Sequence, residues 1–326
     1  MKLLSITCFL ALLMGACSSP ADQQEKETHE KPLKPFASME RLVTRGLPKG
    51  FIQRDYTLSQ DGKVAYTTIQ LPSGKRSFIV QVDLANRLPV LASFSGKFND
   101  LEPMFAPGDS VLLFASDRPL FKGDTTRDYN LWKVSVNGLK VGDPQPFDTI
   151  INTEWDEYYP SMSSDGSLYF TAIYPGHRRD DLYRSLKTDS GYTRPEMLSF
   201  CQDNDLYEFN SYIFPGGDTL LFTSGGREDE VGGGDLYITY RDTAGIWANP
   251  LILANDVNTG GLDFSPFVKN DTLYLTSRRQ DKSWETKKFS YLAEITSYAD
   301  SSVIGEQSVY FTRLSRLFEV KENKED

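Results

Sequence analysis

The chain has 326 residues, of which 39% are hydrophobic and 25% are charged, so it can form a large core and is not globally disordered. The formal net charge of −10 argues against a nucleic-acid partner, because affinity for a phosphate backbone depends on clustered lysine and arginine. Two histidines and three cysteines leave little for a metal centre, and we predict no metal site and no cofactor. The 17 tyrosines, 20 phenylalanines, 24 glycines and 17 prolines favour strands and turns over long helices.

Residues 1–16 are typical of a secretory signal, because Lys2 precedes an apolar stretch that is too short to span a bilayer. Residues 14–17, Met-Gly-Ala-Cys, resemble the lipobox of bacterial lipoproteins. That resemblance implies export, removal of residues 1–16 and lipid attachment at Cys17. Ser18 then favours the outer membrane, on its periplasmic or its surface side. The alternative is an ordinary cleaved signal with an incidental cysteine. Residues 17–36 are polar and contain proline, so we predict a flexible tether there.

Residues 37–326 repeat one pattern, and we predict a single domain. Each copy has an acidic residue, a short strand, a turn rich in Asp and Gly, an apolar strand ending in Phe-Thr or a similar pair, and a strand that opens Asp-Leu-Tyr or similar. The turns favour hairpins because Asp and Gly accept positive φ angles. A small sheet cannot bury both its faces alone, so the copies are expected to stack around an axis as an all-β propeller.

The number of blades follows from the strand ends, which recur about every 48 residues and favour six four-stranded blades, with five or seven as alternatives. We expect the segment 37–44 to supply a missing strand and close the ring, which would protect the sheet edges. A pair of β-sandwiches or a solenoid would not predict the same order of motifs. The six strand ends are Tyr66, Phe114, Phe170, Phe222, Leu275 and Phe311.

Three kinds of motif carry a resemblance to a known family. They are the Ser-x-Asp-Gly turns at 59–62 and 163–166, Phe-Thr at 170–171 and 222–223, and Asp-Leu-Tyr at 181–183 and 235–237. With them, the repeats resemble the TolB-like, WD-repeat-like β-propellers of bacterial envelope proteins. The stretch 228–266 also looks like the propellers of PD40-type lipoproteins from Bacteroidetes-type bacteria. The resemblance implies the fold, whereas repeat motifs are weak evidence for activity.

Charged residues recur at equivalent places in the copies. An acid opens four of them, and a basic residue follows the second strand. They fit two interpretations: an ion-pair ladder between the acid of one blade and the arginine of its neighbour, or a charged ring that presents carboxylates to a ligand. On the second interpretation, the ligand-binding candidates at the channel mouth are Glu102, Glu157, Glu208, Asp263, Arg118, Arg227 and Arg278.

No catalytic set is evident. His177 is the one histidine outside the signal and tether, and it lies in a polar loop where we expect it to be inert. Cys201 has no neighbouring histidine and is expected to be a small buried or edge residue. The acidic loop 227–235 fits either a Ca²⁺ site or a solvated turn. Aromatic residues flank the blade entries and could stack on a ligand or pack between blades: Trp155, Tyr158, Tyr159, Tyr207 and Trp247.

These observations favour a lipid-anchored, non-catalytic propeller that binds an envelope protein or a glycan at one mouth of its ring. Its contact with the membrane would run through the lipid on Cys17. One alternative is a carbohydrate-active hydrolase or lyase that uses carboxylates in the funnel, since acids are plentiful and two of them could lie at a catalytic separation. Another is a structural subunit of an envelope complex.

Overall fold

A computed structural model describes residues 39–42, 44, 46–48, 50–86, 88–253, 257–279 and 307–314. The lipid attachment at Cys17 and the division into residues 1–16, 17–36 and 37–326 fall on or depend on residues outside this part of the chain, so they stay predictions. No helix within the described ranges is long and apolar enough to cross a membrane.

The described residues form five four-stranded antiparallel sheets arranged as the blades of a propeller. The inner strands are β2 (Ile52–Leu58), β6 (Asp100–Phe105), β11 (Glu157–Met162), β17 (Tyr207–Ile213) and β21 (Asp263–Lys269). The second strands are β3 (Val64–Gln70), β7 (Val111–Ser116), β12 (Leu168–Ala172), β18 (Thr219–Gly225) and β22 (Thr272–Ser277). The third strands are β4 (Ser77–Asp83), β8 (Asn130–Asn137), β13 (Asp181–Ser185), β19 (Asp235–Tyr240) and β23 (Ser308–Arg313).

The outermost strands are β5 (Leu88–Leu91), β10 (Gln145–Pro146), β16 (Glu196–Met197), β20 (Leu251–Ile252) and β1 (Glu40–Arg41). Two short additions lie outside the blade pattern: β9 (Lys140–Val141) pairs with β8, and β14 (Lys187–Thr188) forms a hairpin with β15 (Gly191–Tyr192). We number the blades 1 to 5 in the order of their inner strands. As expected, a segment within 37–44 closes the ring, because β1 pairs with β23 as the outer strand of blade 5.

The prediction of six blades is wrong for the described residues, and the alternative of five is the one found. Phe311 does not start a new blade. It lies on β23, opposite Tyr274 of β22, so the Leu275 and Phe311 strand ends belong to one sheet. Blade 5 then contacts blade 1 directly, since the Ser265 hydroxyl donates to an Asp55 carboxylate oxygen at 2.6 Å.

The apolar core lies between neighbouring blades. The second strands are buried on both faces because each sheet is covered by the next one, which explains why their sequences are apolar runs rather than alternating patterns. Phe114, Phe170 and Phe222 are each 0% exposed, and burial of one such side chain contributes about 2–3 kcal/mol. The core therefore holds the blades to each other and fixes the inner strands around the axis.

The predicted hairpin turns are present. Gly62 and Gly166 have φ angles of 69° and 83°, which an L-residue adopts only with strain. In the second of these turns the Ser163 hydroxyl donates to Asp165 at 2.6 Å, and the same carboxylate oxygen accepts the Ser167 N–H at 2.9 Å. These bonds satisfy polar groups that the tight turn would otherwise leave unpaired.

Candidate functional site

Every inner strand is interrupted by a β-bulge where it passes the axis. The backbone there enters the left-handed region, which is costly for residues other than glycine and persists only where the surroundings enforce it. One residue of each inner strand is affected: Asp55 (φ 52°), Glu102 (φ 62°), Tyr159 (φ 50°), Asn210 (φ 55°) and Ser265 (φ 52°). The five residues line one small central cavity of about 20 Å³, which is room for about one water molecule.

Threonines on three of the second strands, Thr68, Thr171 and Thr276, each accept the N–H of the bulge residue in the next blade, whereas the Thr223 hydroxyl of blade 4 is buried without a partner among the residues that the structure describes. The Thr171 hydroxyl of blade 3 accepts the N–H of Asn210 in blade 4 at 3.1 Å, and Thr68 of blade 1 accepts the N–H of Glu102 in blade 2 at 3.0 Å. Blade 2 has Ala115 at the equivalent position of its second strand. There the Glu102 carboxylate accepts the N–H of Tyr159 at 2.8 Å instead. The threonines of blades 1, 3 and 5 therefore have a structural role, and Glu102 takes over that role after blade 2.

Side-chain bonds link the central residues around the axis. Arg54 donates to Asp55 at 2.8 Å and to Glu102 at 3.4 Å, and it also contacts the Tyr159 hydroxyl. On the other side of Asp55, Asn210 donates to Ser265 at 2.6 Å, and Ser265 donates to Asp55. Burial raises the pKa of Glu102, and Arg54 offsets part of that rise. This network fills the channel at its centre, so the two mouths are separate sites.

The mouth where the inner strands begin is a funnel of about 290 Å³, which we call the entry funnel. Tyr129 and Tyr158 form part of its wall, with ring centroids 5.0 Å apart. Arg54, Glu102 and Tyr159 lie at its base, next to the central cavity, and Phe209 and Asp180 line its side.

Asp180 is half-buried, and burial followed by the neighbouring charge of Asp156 raises its pKa. The entry funnel therefore combines tyrosine rings with an excess of carboxylates.

The opposite mouth, where the inner strands end, is a wider and more apolar hollow of about 410 Å³. Its lining comes from the ends of the inner strands and their turns, including Leu58, Met104, Met162, Phe214 and Val268. It carries few charged groups, among them Asp109 and Lys269, whose charged atoms are 4.0 Å apart. The opposite mouth thus carries an acid with a nearby lysine, whereas the entry funnel has an excess of carboxylates.

The acids predicted to open each copy are buried, and the prediction that Glu102 is equivalent to the other three is wrong. Glu102 lies at the bulge. The residue of blade 2 that matches Glu157, Glu208 and Asp263 is Asp100, which pairs with Ser116 as Glu208 pairs with Ser224. Asp100, Glu157, Glu208 and Asp263 are each 0% exposed. They therefore do not present carboxylates at an open mouth.

The arginines pair within their own blade, which corrects the expected ladder between neighbouring blades. Arg118 contacts Asp100 at 2.5 Å, Arg227 contacts Glu208 at 2.6 Å, and in blade 5 Arg279, rather than the predicted Arg278, contacts Asp263 at 3.2 Å. Burial raises the pKa of Glu208 to about 7, although Arg227 opposes this. The arginine and the acid meet because one follows the second strand and the other begins the adjacent inner strand of the same sheet.

Blade 3 departs from this arrangement. The residue opposite the acid on the second strand is a serine in blades 2, 4 and 5 but Ala172 in blade 3, and the arginine is replaced by Tyr174. Glu157 accepts hydrogen bonds from the Thr153 hydroxyl at 2.5 Å and from the Tyr174 hydroxyl at 3.4 Å. Burial raises the pKa of Glu157 to about 8, because no cation lies beside it among the described residues.

The aromatic residues predicted to flank the blade entries differ in how exposed they are. Trp247 is buried between blades, and Tyr207 is half-buried, whereas Trp155 is 43% exposed on the entry side. Tyr158 and Tyr159 line the entry funnel. Cys201 is buried, as expected, and burial raises its pKa well above the usual range.

In the loop 227–235 the acids accept hydrogen bonds from the loop backbone and from the neighbouring strand β19. Asp229 accepts the Tyr237 hydroxyl at 2.8 Å, and Asp235 accepts the N–H groups of Val231 and Gly232 at 2.5 and 3.1 Å. Within the described ranges, no three His, Cys, Asp or Glu side chains lie close enough to hold a metal ion.

No protein-family model matches the chain, and no curated protein matches it. Among solved structures, the chain is similar to TolB from Acinetobacter baumannii, with a TM-score of 0.42 and 14% identity over 79% of this chain and 54% of that one. It is similar to a putative TolB from Agrobacterium tumefaciens, with a TM-score of 0.47 and 14% identity over 74% and 77% of the two chains. It is also similar to a glycoside hydrolase, with a TM-score of 0.53 and 9% identity over 87% and 93%.

At these identities the similarity concerns the fold alone. The chain spans about half the length of the Acinetobacter TolB. The β-propeller that the TolB-like resemblance predicted is confirmed by the five sheets. The same fold serves proteins with unrelated activities, so the function has to be argued from the site.

Proposed function

We propose that this protein is a non-catalytic binding propeller whose entry funnel receives a lysine or arginine side chain of a partner protein at the bacterial envelope. The observation that carries the proposal is the unpaired carboxylate of Asp180. This carboxylate lines a tyrosine-walled funnel and has neither a hydrogen-bond donor nor an ion-pair partner among the described residues. A partly buried carboxylate without a partner is costly, and a cation from outside would offset that cost.

The charge of the funnel supports a cationic ligand. Among the described residues that line the funnel Arg54 is the one cation, and it is already engaged by Asp55 and Glu102. Asp180 and the adjacent Asp156 add two further carboxylates. An incoming ammonium or guanidinium group would lower the repulsion between these carboxylates, and it would also interact favourably with the tyrosine rings.

The size of the funnel supports a single side chain. Its volume of about 290 Å³ lies at the lower end of the range for small-molecule pockets, and the filled channel centre closes it below. The apolar stem of a lysine would pack against the wall formed by Tyr129 and Tyr158, and its ammonium would reach Asp180.

The place in the envelope is part of the proposal and depends on the N-terminal sequence. Residues 1–16 and Cys17 predict export and lipid anchoring. The polar tether 17–36 would then hold the propeller away from the membrane and leave its mouths free for a partner.

A binding measurement with Asp180→Asn tests the proposal. A fluorescein-labelled hexalysine peptide is titrated with the protein by fluorescence polarisation, and hexaglutamate serves as the control peptide. Asp180→Asn is expected to weaken hexalysine binding about tenfold or more, because it removes the charge that the funnel leaves unpaired. Asp189→Asn, an exposed site on the outer side of the same blade, makes the same change in net charge and is expected to have little effect. Equal effects of the two substitutions, or equal binding of both peptides, would contradict the proposal.

Glycoside hydrolysis is the second candidate, because two carboxylates with raised pKa values, Glu102 and Asp180, line one funnel. Two observations weigh against it. Glu102 is held by Arg54 and by the N–H of Tyr159, and the channel is filled directly below it. Turnover of aryl glycosides that is abolished by Asp180→Asn would replace the binding proposal with this one.

A further inference from the structure

A second hollow lies beside blade 3, apart from the entry funnel. It encloses about 640 Å³, which is within the range of ligand pockets. The exposed indole of Trp155 forms one wall, and Tyr174 and Tyr183 form another. His177, Arg194 and Glu154 supply polar groups around it.

The aromatic wall formed by Tyr174 and Tyr183 follows from the departure of blade 3 from the repeat. In blades 2, 4 and 5 the arginine that pairs with the buried acid also lies over an aromatic ring of the third strand. The distances from the guanidinium carbon to the ring are 5.3 Å for Arg118 and Trp132, 5.1 Å for Arg227 and Tyr237, and 4.6 Å for Arg279 and Tyr310.

In blade 3 the matching ring is Tyr183, and the ring of Tyr174 lies 4.6 Å from it in place of a guanidinium. The substitution thus exchanges a buried cation for a tyrosine and leaves an aromatic surface on the side of the hollow. The loop that contains Tyr174 also carries His177, whose Nδ1 lies 2.9 Å from an Asp181 carboxylate oxygen. That contact fixes the imidazole orientation and leaves Nε2 as the nitrogen free for other partners.

We propose that this hollow is a binding site for a neutral sugar residue, with Trp155 as the stacking platform. A pyranose ring presents a C–H face that packs on an indole, while its hydroxyls need both donors and acceptors at the edge. Arg194 can donate, and Glu154 and the Nε2 of His177 can accept. Charges of both signs surround the hollow, which favours a neutral ligand here, in contrast to the acidic entry funnel. The two sites would let one propeller hold a protein and a glycan at the same end.

The test is isothermal titration with methyl glycosides of glucose, galactose, mannose, xylose and N-acetylglucosamine, and with their β-1,4-linked oligosaccharides. At least one of these sugars is expected to bind with a Kd on the order of 1 mM or below. Trp155→Ala is expected to weaken that binding at least about tenfold. Phe121→Ala, which removes another exposed aromatic at the same end of the sheets, is the matched control and is expected to leave it unchanged.

Two further variants make the outcome specific. Tyr174→Arg restores the residue type of the other blades and is expected to abolish sugar binding, because it removes an aromatic wall of the hollow and draws the new guanidinium to Glu157. Asp180→Asn is expected to leave sugar binding intact, so failure of this proposal is distinguishable from failure of the proposed function. Absence of binding by every sugar in the panel up to about 20 mM, or binding that survives Trp155→Ala, would overturn the proposal.

Discussion

Blades 2 to 5 each begin with a buried acid, and in blade 3 that acid, Glu157, has no arginine beside it in the described part of the chain. We therefore expect the stability of the protein to depend on the ionisation of Glu157 and so on pH. Its pKa is raised from 4.5 to about 8, mainly by burial. In the unfolded chain the carboxyl ionises near its ordinary pKa, whereas in the folded protein it keeps its proton until the pH approaches 8. The contribution of Glu157 to the free energy of unfolding is therefore most favourable below pH 4.5 and is progressively lost as the pH rises to 8.

The difference between 4.5 and about 8 corresponds to roughly 5 kcal/mol at 1.36 kcal/mol per pH unit. Between pH 5 and pH 8.5 the part that is lost amounts to about 4 kcal/mol. Glu157→Gln removes the ionisation and keeps an amide that can accept from Thr153. We therefore expect the variant to gain stability relative to the parent protein as the pH rises, by up to about 4 kcal/mol across that interval.

Urea unfolding of both proteins at pH 5 and pH 8.5 measures this difference, and titrations common to both proteins cancel. Glu208→Gln is the matched control. The Glu208 pKa is raised less, to about 7, because the Arg227 charge opposes the effect of burial, so the same reasoning predicts a smaller gain for this variant, about 2–3 kcal/mol between pH 5 and pH 8.5. A difference between Glu157→Gln and the parent that is the same at both pH values would refute the reasoning.

The structure supports three further predictions. Thr171→Val removes the acceptor of the Asn210 N–H and should lower the free energy of unfolding by about 1–3 kcal/mol, whereas Thr171→Ser should keep most of it. Gly232→Ala would place a Cβ 2.1 and 2.3 Å from two backbone carbonyl oxygens and should cost more than about 2 kcal/mol in urea unfolding, while Gly233→Ala, whose Cβ meets nothing closer than 3.9 Å, should be tolerated. The buried Cys201 should react with a thiol reagent only in denaturant, and rapid reaction of the native protein at neutral pH would contradict the placement of its side chain.

The fold was largely predictable from local pattern. Turns such as 163–166 and apolar strands such as the one that contains Phe170 have the same physical cause wherever they occur, so their recurrence predicts stacked hairpins. The number of blades was not, because Phe311 on a third strand has the same local sequence character as a residue on a second strand. Only strand pairing distinguishes the two, and pairing is a property of the whole ring.

The candidate site was predictable only in part. Glu102 was grouped with the buried acids because a one- or two-residue shift near a bulge does not alter a short motif, and the true member of that group is Asp100. Asp180 was missed, since an acid in a polar loop has no local signal that it borders a funnel built by other blades. The change at Ala172 and Tyr174 was visible in the sequence, and a comparison of the second strands with each other would have found it.

The most direct test of the central claim is an NMR titration of protein that carries ¹³C-labelled tyrosine with the hexalysine peptide, with signals assigned by single Tyr→Phe variants. If the entry funnel receives the lysine side chain, the ring signals of Tyr129 and Tyr158 shift, and those of two outer tyrosines, Tyr192 on β15 and Tyr240 at the end of β19, stay in place. Shifts confined to the outer tyrosines, or spread evenly over all of them, would contradict the account.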